Sequence, residues 1–315
     1  MRRIQNKTMI SEVGTVCLAL LLIFCSCTHD SAATKVKAAY YWSTTLRMDT
    51  TRTSFIDAHG ITRIYIRYFD VVNTAKGLMP NATLAFNDSI PQGVEVIPTV
   101  FITNDCMAHP QPQLGEMIAK RVLQMNETND VMNVKEIQMD CDWTVSTRKN
   151  FFQVLTDMRA YLKERGVSLS ATIRLHQLTQ PVPPVDRGVL MLYNTGDFTD
   201  IKCEKPILDI EDVKPYLKGL RGYDLPLSAA YPLYRWHLLF RQGHFVGVMH
   251  SDDDLPVLEG DTIVVREPSL DDILTVKALV ERLRPELNRE VILYELNDYN
   301  TTRFKYDDYE KIFGD

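Results

Sequence analysis

The 315-residue sequence lacks the excess of basic residues that nucleic-acid-binding proteins carry. Its 35 Lys and Arg are outnumbered by 41 Asp and Glu, which gives a formal net charge of −6. It also lacks the low hydrophobicity of disordered chains, because 45% of its residues are hydrophobic and only 24% are charged. We therefore expect no nucleic-acid partner and predict a globular protein with a large core.

Cysteines are few, and none has the spacing of a metal site. Beyond the N-terminal segment only Cys106, Cys141 and Cys203 remain, so they allow at most one disulfide and leave one free thiol. We predict that the chain holds no metal and no cofactor.

No apolar run is long enough to span a membrane as a helix, which needs about 20 residues. A shorter uncharged run at 13–24 follows the basic residues Arg2, Arg3 and Lys7. A basic start followed by a short apolar run is typical of a signal peptide, and signal peptides are removed on export.

The apolar run ends in Leu-Ile-Phe-Cys-Ser-Cys at residues 22–27. This segment resembles a bacterial lipobox, in which a small residue precedes the cysteine that is lipidated, here Cys27. We predict a lipoprotein signal peptide over 1–27 and a polar tether over 28–37. Acyl chains on Cys27 would anchor the protein to a membrane of the bacterial cell envelope. The outer membrane is favoured, because Thr28 is not the Asp that signals inner-membrane retention in some bacteria. Plain secretion and an uncleaved anchor are the alternatives.

Strand-like and helix-like segments alternate through the rest of the chain. Strands are predicted at 38–42, 62–69, 94–102, 136–143, 168–175, 189–194, 226–233 and 290–296. Helical periodicity is clearest over 147–164, and further helices are predicted at 50–58, 113–125, 211–220, 271–287 and 307–313. Eight such units over 38–315 predict an α/β fold, the (β/α)8 TIM barrel. An open, doubly wound sheet is the alternative, but residues 43–46 after the first strand lack the glycine of a phosphate-binding turn.

Two stretches of the predicted barrel differ from a regular unit. Residues 71–91 show little helical pattern and are predicted to be mostly loop. Residues 240–267 follow the seventh strand and predict a β-hairpin excursion, with strands at 244–248 and 262–265.

Successive side chains of a strand point to opposite faces, so the apolar face of each barrel strand is assigned to the helices. The side chains that then point inward are polar: Glu136, Gln138, Asp140 and Asp142 in the fourth strand, Arg174 and His176 in the fifth, and Arg67 in the second, next to Tyr65 and Phe69. Barrel interiors are normally apolar, so these residues predict an active site at the C-terminal strand ends. The alternative is a buried salt-bridge network of Arg67 and Arg174 with Asp140 and Asp142.

Carboxylates near the strand ends are the candidate catalytic residues. Asp140 and Asp142 share a strand face with Cα atoms about 6.6 Å apart, and like charges at that range separate their pKa values. We predict these two residues as the charged centre, with Asp142 as base or stabiliser. Glu295, across the barrel, is the candidate acid, because glycoside hydrolysis uses two carboxyl groups.

Side chains at other strand ends are predicted to bind a substrate. Arg174 and Tyr193 would orient it, and Trp42 and Trp236 would stack on sugar rings. Arg67 and His176 complete the predicted set, although a structural role for His176 is equally consistent with the sequence. For each aromatic residue, packing in the core is the alternative.

A family resemblance rests on the fourth to sixth strands. The segment Glu-Ile-Gln-Met-Asp-Cys-Asp-Trp at 136–143, the amphipathic helix after it and Leu-Ser-Ala-Thr-Ile at 169–173 resemble a family of uncharacterised bacterial lipoproteins with a glycosidase-like barrel. More distantly, Asp-Cys-Asp-Trp-Thr at 140–144 is similar to the Asp-x-Asp-x-Glu motif of chitinase-like glycosidases, and Met-Leu-Tyr-Asn at 191–194 to their Met-x-Tyr-Asp. Thr144 replaces the acid Glu and Asn194 replaces the Asp, so the resemblance implies the fold without the chitinase proton donor.

Two functions follow as expectations. The first is a membrane-anchored, glycosidase-like barrel that binds a carbohydrate, with hydrolysis by the strand-end carboxylates as a further step. The alternative is a non-catalytic lipoprotein of the cell envelope that acts as a binding or assembly module, which the missing Glu at position 144 favours.

Overall fold

The computed structural model describes residues 35–249 and 255–314. The predicted signal peptide, Cys27 and most of the predicted tether lie outside the described residues. Within those two ranges, no helix combines the length and the apolar character needed to cross a membrane.

Fourteen strands are described. In chain order they are β1 (Val36–Tyr41), β2 (Thr45–Leu46), β3 (Arg63–Thr74), β4 (Gly77–Asn81), β5 (Ala85–Phe86), β6 (Glu95–Ile102), β7 (Glu136–Asp140), β8 (Ser168–Arg174), β9 (Arg187–Met191), β10 (Leu227–Pro232), β11 (Trp236–Arg241), β12 (His244–Met249), β13 (Thr262–Arg266) and β14 (Glu290–Tyr294).

Eight of these strands form a closed parallel barrel. The order is β1, β3, β6, β7, β8, β9, β10 and β14, and β1 closes the ring by pairing with both β3 and β14. The predicted (β/α)8 TIM barrel is confirmed, and each predicted barrel strand corresponds to an observed one. The first strand begins at Val36, inside the stretch predicted as tether.

Helices cover the outside of the barrel. They are α1 (Thr50–His59), α2 (Leu114–Thr128), α3 (Arg148–Lys163), α4 (Ile210–Tyr216), α5 (Leu270–Leu283), α6 (Asp298–Thr302) and α7 (Tyr306–Phe313), with short 3₁₀ helices at Asn104–Met107, Leu175–Thr179, Leu217–Gly222 and Pro285–Arg289. Ser269 begins α5 with a reciprocal cap, since its side chain accepts from the Asp272 N–H and the Asp272 side chain accepts from the Ser269 N–H. The helix ends at Leu283, before Pro285, which cannot donate a backbone hydrogen bond.

The two irregular stretches form β-structure. In the second unit β3 continues to Thr74 and turns back into the antiparallel strand β4, where a regular unit would have a helix. After β10, the two strands of the predicted hairpin are present as β12 and β13. They do not follow each other in the sheet, because β11 lies between them and pairs with both. Leu238, Leu239 and Phe240 of β11 are buried, and this burial explains why the excursion forms a sheet of three strands.

The apolar faces of the strands pack against the helices as predicted. Ile137 and Met139 of β7 and Leu169, Ala171 and Ile173 of β8 have no exposed surface. Removing such side chains from water stabilises the fold by about 25 cal/mol per Å² of apolar surface. Cys106, Cys141 and Cys203 are free thiols in the described part of the chain.

A network of charged side chains fills the N-terminal end of the barrel interior. Arg63, the first residue of β3, lies 2.8 Å from Glu95 and 2.6 Å from Glu290. Arg187, the first residue of β9, lies 2.7 Å from Glu136 and 2.6 Å from Glu290. Each charge therefore has an opposite partner at the start of another strand, and this end of the barrel is closed by paired groups.

Candidate functional site

A cleft of about 550 Å³ opens at the C-terminal end of the barrel strands. Its lining comes from the ends of most strands and from the connections that follow them: Tyr41, Trp42, Ser43, Arg52, Arg67, Phe101, Asp140, Arg174, Met191, Tyr193, Asn194, Tyr234, Arg235, Trp236, Tyr294, Glu295, Leu296 and Asn297. TIM-barrel enzymes place their active sites at this face.

The cleft brings together most of the residues that the sequence singled out. They are Trp42, Arg67, Asp140, Arg174, Tyr193, Trp236 and Glu295. Asp142 and His176 instead line a neighbouring depression of about 140 Å³. Because Arg174, Tyr193 and Asn194 border both spaces, the depression adjoins the cleft.

Asp140 is the last residue of β7, and it is buried with its charge paired. Its Oδ1 accepts hydrogen bonds from Thr172 Oγ1 at 2.6 Å and from Arg174 Nη2 at 2.9 Å. Both donors lie on β8, the parallel neighbour of β7, so sheet register places them beside Asp140. The predicted contact of Arg174 with Asp140 is therefore present.

Arg67 pairs with Asp70 instead of with Asp140 or Asp142. Its Nε donates to Asp70 Oδ1 at 2.7 Å. A bulge in the pairing of β3 with β6 follows Arg67, so that Asp70 comes level with Phe101, which lines the cleft. The bulge turns Asp70 inward and Phe69 outward, where its ring lies 5.1 Å from the Arg121 guanidinium of α2. The predicted inward position of Phe69 is wrong because the extra residue reverses the alternation.

Asp142 does not point into the barrel as strict alternation predicted. β7 ends at Asp140, and beyond it the backbone no longer alternates. The Asp142 side chain is 60% exposed, and its Oδ1 lies 3.4 Å from His176 Nε2. The two aspartates therefore lie in different spaces, Asp140 in the cleft and Asp142 with His176 in the depression.

Glu295 directly follows β14 and is half-buried in the cleft wall. Burial raises the pKa of its carboxyl group, against the smaller opposing effects of a hydrogen bond from Asn297 and the charge of Arg67. The Asn297 Nδ2 donates to Glu295 Oε1 at 3.2 Å. A raised pKa favours the protonated carboxyl, the form that a general acid needs.

Aromatic rings form a continuous wall of the cleft. Tyr193 lies 5.1 Å from Tyr294 and 5.9 Å from Tyr234, measured between ring centroids. Tyr234 lies 5.6 Å from Trp236, and Trp42 lies 5.8 Å from Tyr294. Such rings provide flat apolar surfaces next to the polar groups of the cleft.

The Tyr193 hydroxyl group lies at the floor of this wall. It is buried and has no hydrogen-bond partner in the described structure. Burial raises the pKa of Tyr193, so the hydroxyl keeps its proton at neutral pH and remains a donor. Unsatisfied buried hydroxyls are costly, and this one has almost no accessible surface of its own.

Two arginines of the cleft escaped the sequence analysis. Arg52 lies on α1, and Arg235 lies in the connection between β10 and β11, where its guanidinium is 3.9 Å from the Tyr299 ring. The available signal for Arg235 was its position between the aromatic residues Tyr234 and Trp236, just after the strand predicted at 226–233. No pattern marked Arg52, because it lies on a helix.

The position of the chitinase acid holds no carboxylate. Thr144 is exposed, and its Oγ1 lies 2.9 Å from Ser146 Oγ. Thr144 is also absent from the lining of the cleft.

No protein-family model matches the chain, and no curated protein matches it. Solved structures do. The spore cortex-lytic enzyme SleL of Bacillus cereus is 15% identical with a TM-score of 0.57, over 89% of this chain and 73% of SleL. The GH18 chitinase ChiB of Flavobacterium johnsoniae is 12% identical with a TM-score of 0.57, over 89% and 94%. A chitinase of Chromobacterium violaceum is 10% identical with a TM-score of 0.57, over 89% and 99%. At these identities the similarity establishes the fold, a glycosidase-like TIM barrel.

Proposed function

We propose that this protein binds a carbohydrate in the cleft at the C-terminal end of its barrel. The observation that carries the proposal is the aromatic wall beside the polar side chains of Arg67, Asp140 and Glu295 in one cleft. Sugars present both apolar ring faces and hydroxyl groups, so they match a wall of rings that includes a few polar groups.

The size of the cleft supports this function. Ligand-binding pockets have volumes of about 300–1,000 Å³, and the cleft has about 550 Å³. The structurally similar proteins named above are two chitinases and a cortex-lytic enzyme. Their names support a carbohydrate as the ligand class.

Tryptophan fluorescence tests binding directly. The chain has three Trp. Trp42 and Trp236 line the cleft, whereas Trp143 is buried and packs on Phe152 with ring centroids 5.2 Å apart. A bound oligosaccharide should change the emission of the wild-type protein, and Trp42→Phe with Trp236→Phe should remove most of the change.

A matched Trp143→Phe variant is the control and should keep the binding signal. Titration covers neutral and acidic oligosaccharides, with calorimetry as an independent readout. If no oligosaccharide of either kind changes the emission or the heat, the carbohydrate proposal fails.

Hydrolysis is a second candidate function, and the raised pKa of Glu295 favours it. In this reaction Glu295 protonates the glycosidic oxygen as the bond to the sugar breaks. Water then supplies the hydroxyl group at the anomeric carbon, and its other proton passes to the Glu295 carboxylate, which restores the acid. Asp140 would stabilise the positive charge that develops on the sugar. The predicted role of Asp142 as base stays a prediction, with its side chain in the adjoining depression.

A non-catalytic binding module is the alternative, and Thr144 at the position of the chitinase acid favours it. Reducing-end assays separate the two functions. Release of new reducing ends that is lost in Glu295→Gln supports hydrolysis. Binding of an oligosaccharide without any release supports the binding module.

We further propose that the protein is a lipoprotein of the bacterial cell envelope, anchored through Cys27. The support is the basic start, the apolar run and the lipobox-like segment at 22–27. Cells that express the full chain should incorporate a palmitate analogue into it, and Cys27→Ala should abolish the label and move the protein out of the membrane fraction. Cys25→Ala is the matched control and should keep the label. Density fractionation of the membranes then tests the outer membrane.

A further inference from the structure

The cleft concentrates arginines on a chain whose net charge is −6. Arg52, Arg67, Arg174 and Arg235 all line it, whereas its carboxylates are Asp140 and Glu295. The electric field of an acidic protein repels anions in general. The local excess of arginines over carboxylates in the cleft therefore indicates that the cleft favours a ligand of negative charge.

Three of the four arginines have carboxylate partners. Arg52 contacts Asp298 at 2.9 Å, and Arg174 contacts Asp140 at 2.9 Å. Arg67 binds Asp70, as described above. These pairs hold the guanidinium groups in place and neutralise much of their charge.

Arg235 differs from the other three. Among residues 35–249 and 255–314 it forms no ion pair within 4.0 Å, and its guanidinium stacks on the Tyr299 ring at 3.9 Å. The side chain is exposed at the mouth of the cleft. Stacking leaves the edge of the guanidinium free, and that edge is the part that binds carboxylate or sulfate with two hydrogen bonds.

The unsatisfied buried polar atoms of the cleft residues are all able to donate. Arg52 Nε, Arg174 Nη1 and the Tyr193 hydroxyl have no partner. Within the described residues, no side-chain oxygen of a carboxylate or amide in the cleft lining is buried without a donor. The buried unsatisfied atoms of the cleft residues therefore add no unpaired negative charge to the cleft.

The two carboxyl groups of the cleft oppose an anion only weakly. Asp140 already accepts bonds from Thr172 and Arg174, and burial raises the pKa of Glu295, which favours its neutral form. Arg235 is the arginine of the cleft without a carboxylate partner among the described residues.

We propose that the cleft selects a saccharide that carries an anionic substituent, a carboxylate or a sulfate, and that Arg235 binds this substituent. This inference rests on the proposed carbohydrate-binding function and adds the charge of the ligand to it. Arg235 is thereby a specificity-determining residue, and a neutral oligosaccharide of the same length binds more weakly.

The test compares matched oligosaccharides on the full chain in detergent by calorimetry. The probes are tetra-galacturonate for the carboxylate, a chondroitin sulfate tetrasaccharide for the sulfate, and chitotetraose as the neutral sugar. Arg235→Gln should weaken binding of the acidic probe about tenfold, the value expected for loss of a charge-assisted hydrogen bond, and leave chitotetraose unchanged. Arg235→Lys should recover part of the loss, and added salt should weaken acidic binding only.

Arg221→Gln is the matched control, because Arg221 is an exposed arginine outside the cleft lining. Polyglutamate tests for adsorption of any polyanion. The inference is overturned if polyglutamate binds as tightly as the acidic sugars. It is also overturned if Arg221→Gln loses as much affinity for the acidic probe as Arg235→Gln does.

The two proposals fail differently. If chitotetraose binds as well as the acidic probes, or better, the anionic selection is wrong and the carbohydrate-binding function stands. If none of the three oligosaccharides binds, the carbohydrate-binding function fails, and the inference fails with it.

Discussion

The two ends of the barrel interior are both polar, but their polar groups are used differently. At the N-terminal end Arg63 and Arg187 contact three glutamates, and Glu290 accepts bonds from both arginines. At the C-terminal end the Tyr193 hydroxyl and Arg174 Nη1 have no hydrogen-bond partner among the described residues. Glu136 Oε1 at the N-terminal end has none either, but Tyr193 and Arg174 belong to the lining of an open cleft.

This difference teaches how to separate architecture from a binding site in a barrel. Inward polarity alone does not distinguish them, since the same alternation of side chains produces it at both ends. A closed set of paired charges stabilises the fold or is neutral to it, whereas unpaired groups beside an open cleft are retained despite their cost.

The largest expected effect comes from breaking the N-terminal network. Arg187→Ala leaves Glu136 and Glu290 buried with one fewer partner, so the free energy of unfolding should fall by about 3–5 kcal/mol. Chemical denaturation measures it. Arg159→Ala is the matched control, because its pair with Asp186 is exposed and should contribute about 0–1 kcal/mol. An equal effect of both variants would show that the network is no more important than a surface ion pair.

The second-largest effect is expected from removing the carboxyl group of Glu295, the candidate acid at the C-terminal end. If the protein hydrolyses its ligand, Glu295→Gln should lower kcat by about 100-fold or more while the affinity for the oligosaccharide changes little. Thermal unfolding should show a midpoint that is level or higher, because the variant removes a buried carboxyl group. A large fall in the midpoint would instead place Glu295 among the residues that hold the fold together.

The pH dependence of stability should have opposite signs at the two ends. Burial alone would raise the pKa of Glu290. The charges of Arg187 and Arg63 nevertheless hold this pKa below its ordinary value of 4.5. Glu290 therefore contributes stability above pH 4.5 that is lost as pH falls through its lower folded-state pKa. Burial raises the pKa of Glu295 above 4.5, so the folded state binds the extra proton and stability falls as pH rises through that window.

Thermal midpoints between about pH 3 and pH 8 test these signs, since this range brackets the ordinary Glu pKa. Relative to wild type, Glu295→Gln should gain stability as pH rises from 4.5 through the raised folded-state pKa of Glu295, whereas Glu290→Gln should lose stability as pH rises from the lowered folded-state pKa of Glu290 to 4.5. Parallel curves for the two variants would contradict the comparison.

The smallest effect is expected at Asp142. Its side chain is 60% exposed and lies 3.4 Å from His176. Asp142→Asn should change the free energy of unfolding by less than about 0.5 kcal/mol, as for other surface substitutions. A fall of about 3 kcal/mol would mean that Asp142 belongs to a buried ion pair.

Much of the fold followed from local patterns. The buried face of α3, with Phe151, Leu155, Met158 and Leu162, was visible as helical spacing in the sequence. The strands of the barrel were visible as apolar runs between helices, and Ser269, two residues before the helix predicted at 271–287, has a side chain typical of a helix cap. These signals are local because hydrophobic periodicity and capping involve residues only a few positions apart.

The candidate site was predictable only in part. Asp140, Arg174, Tyr193 and Glu295 were found because strand ends of a barrel converge on one face. Asp142 was misplaced because the end of β7 cannot be read to the residue. The pairing of Asp70 with Arg67 was not predicted because a bulge reverses the faces of β3.

By itself the sequence determined the eight parallel strands, their order along the chain and the polarity of the barrel interior. Only the tertiary structure decided which polar groups are paired. The contacts of Arg187 with Glu290, and the exposure of Arg235 without a carboxylate partner among the described residues, depend on strand register and on residues far apart in the chain. Pairing of charges is a property of distances in space, and no periodicity along the chain records those distances.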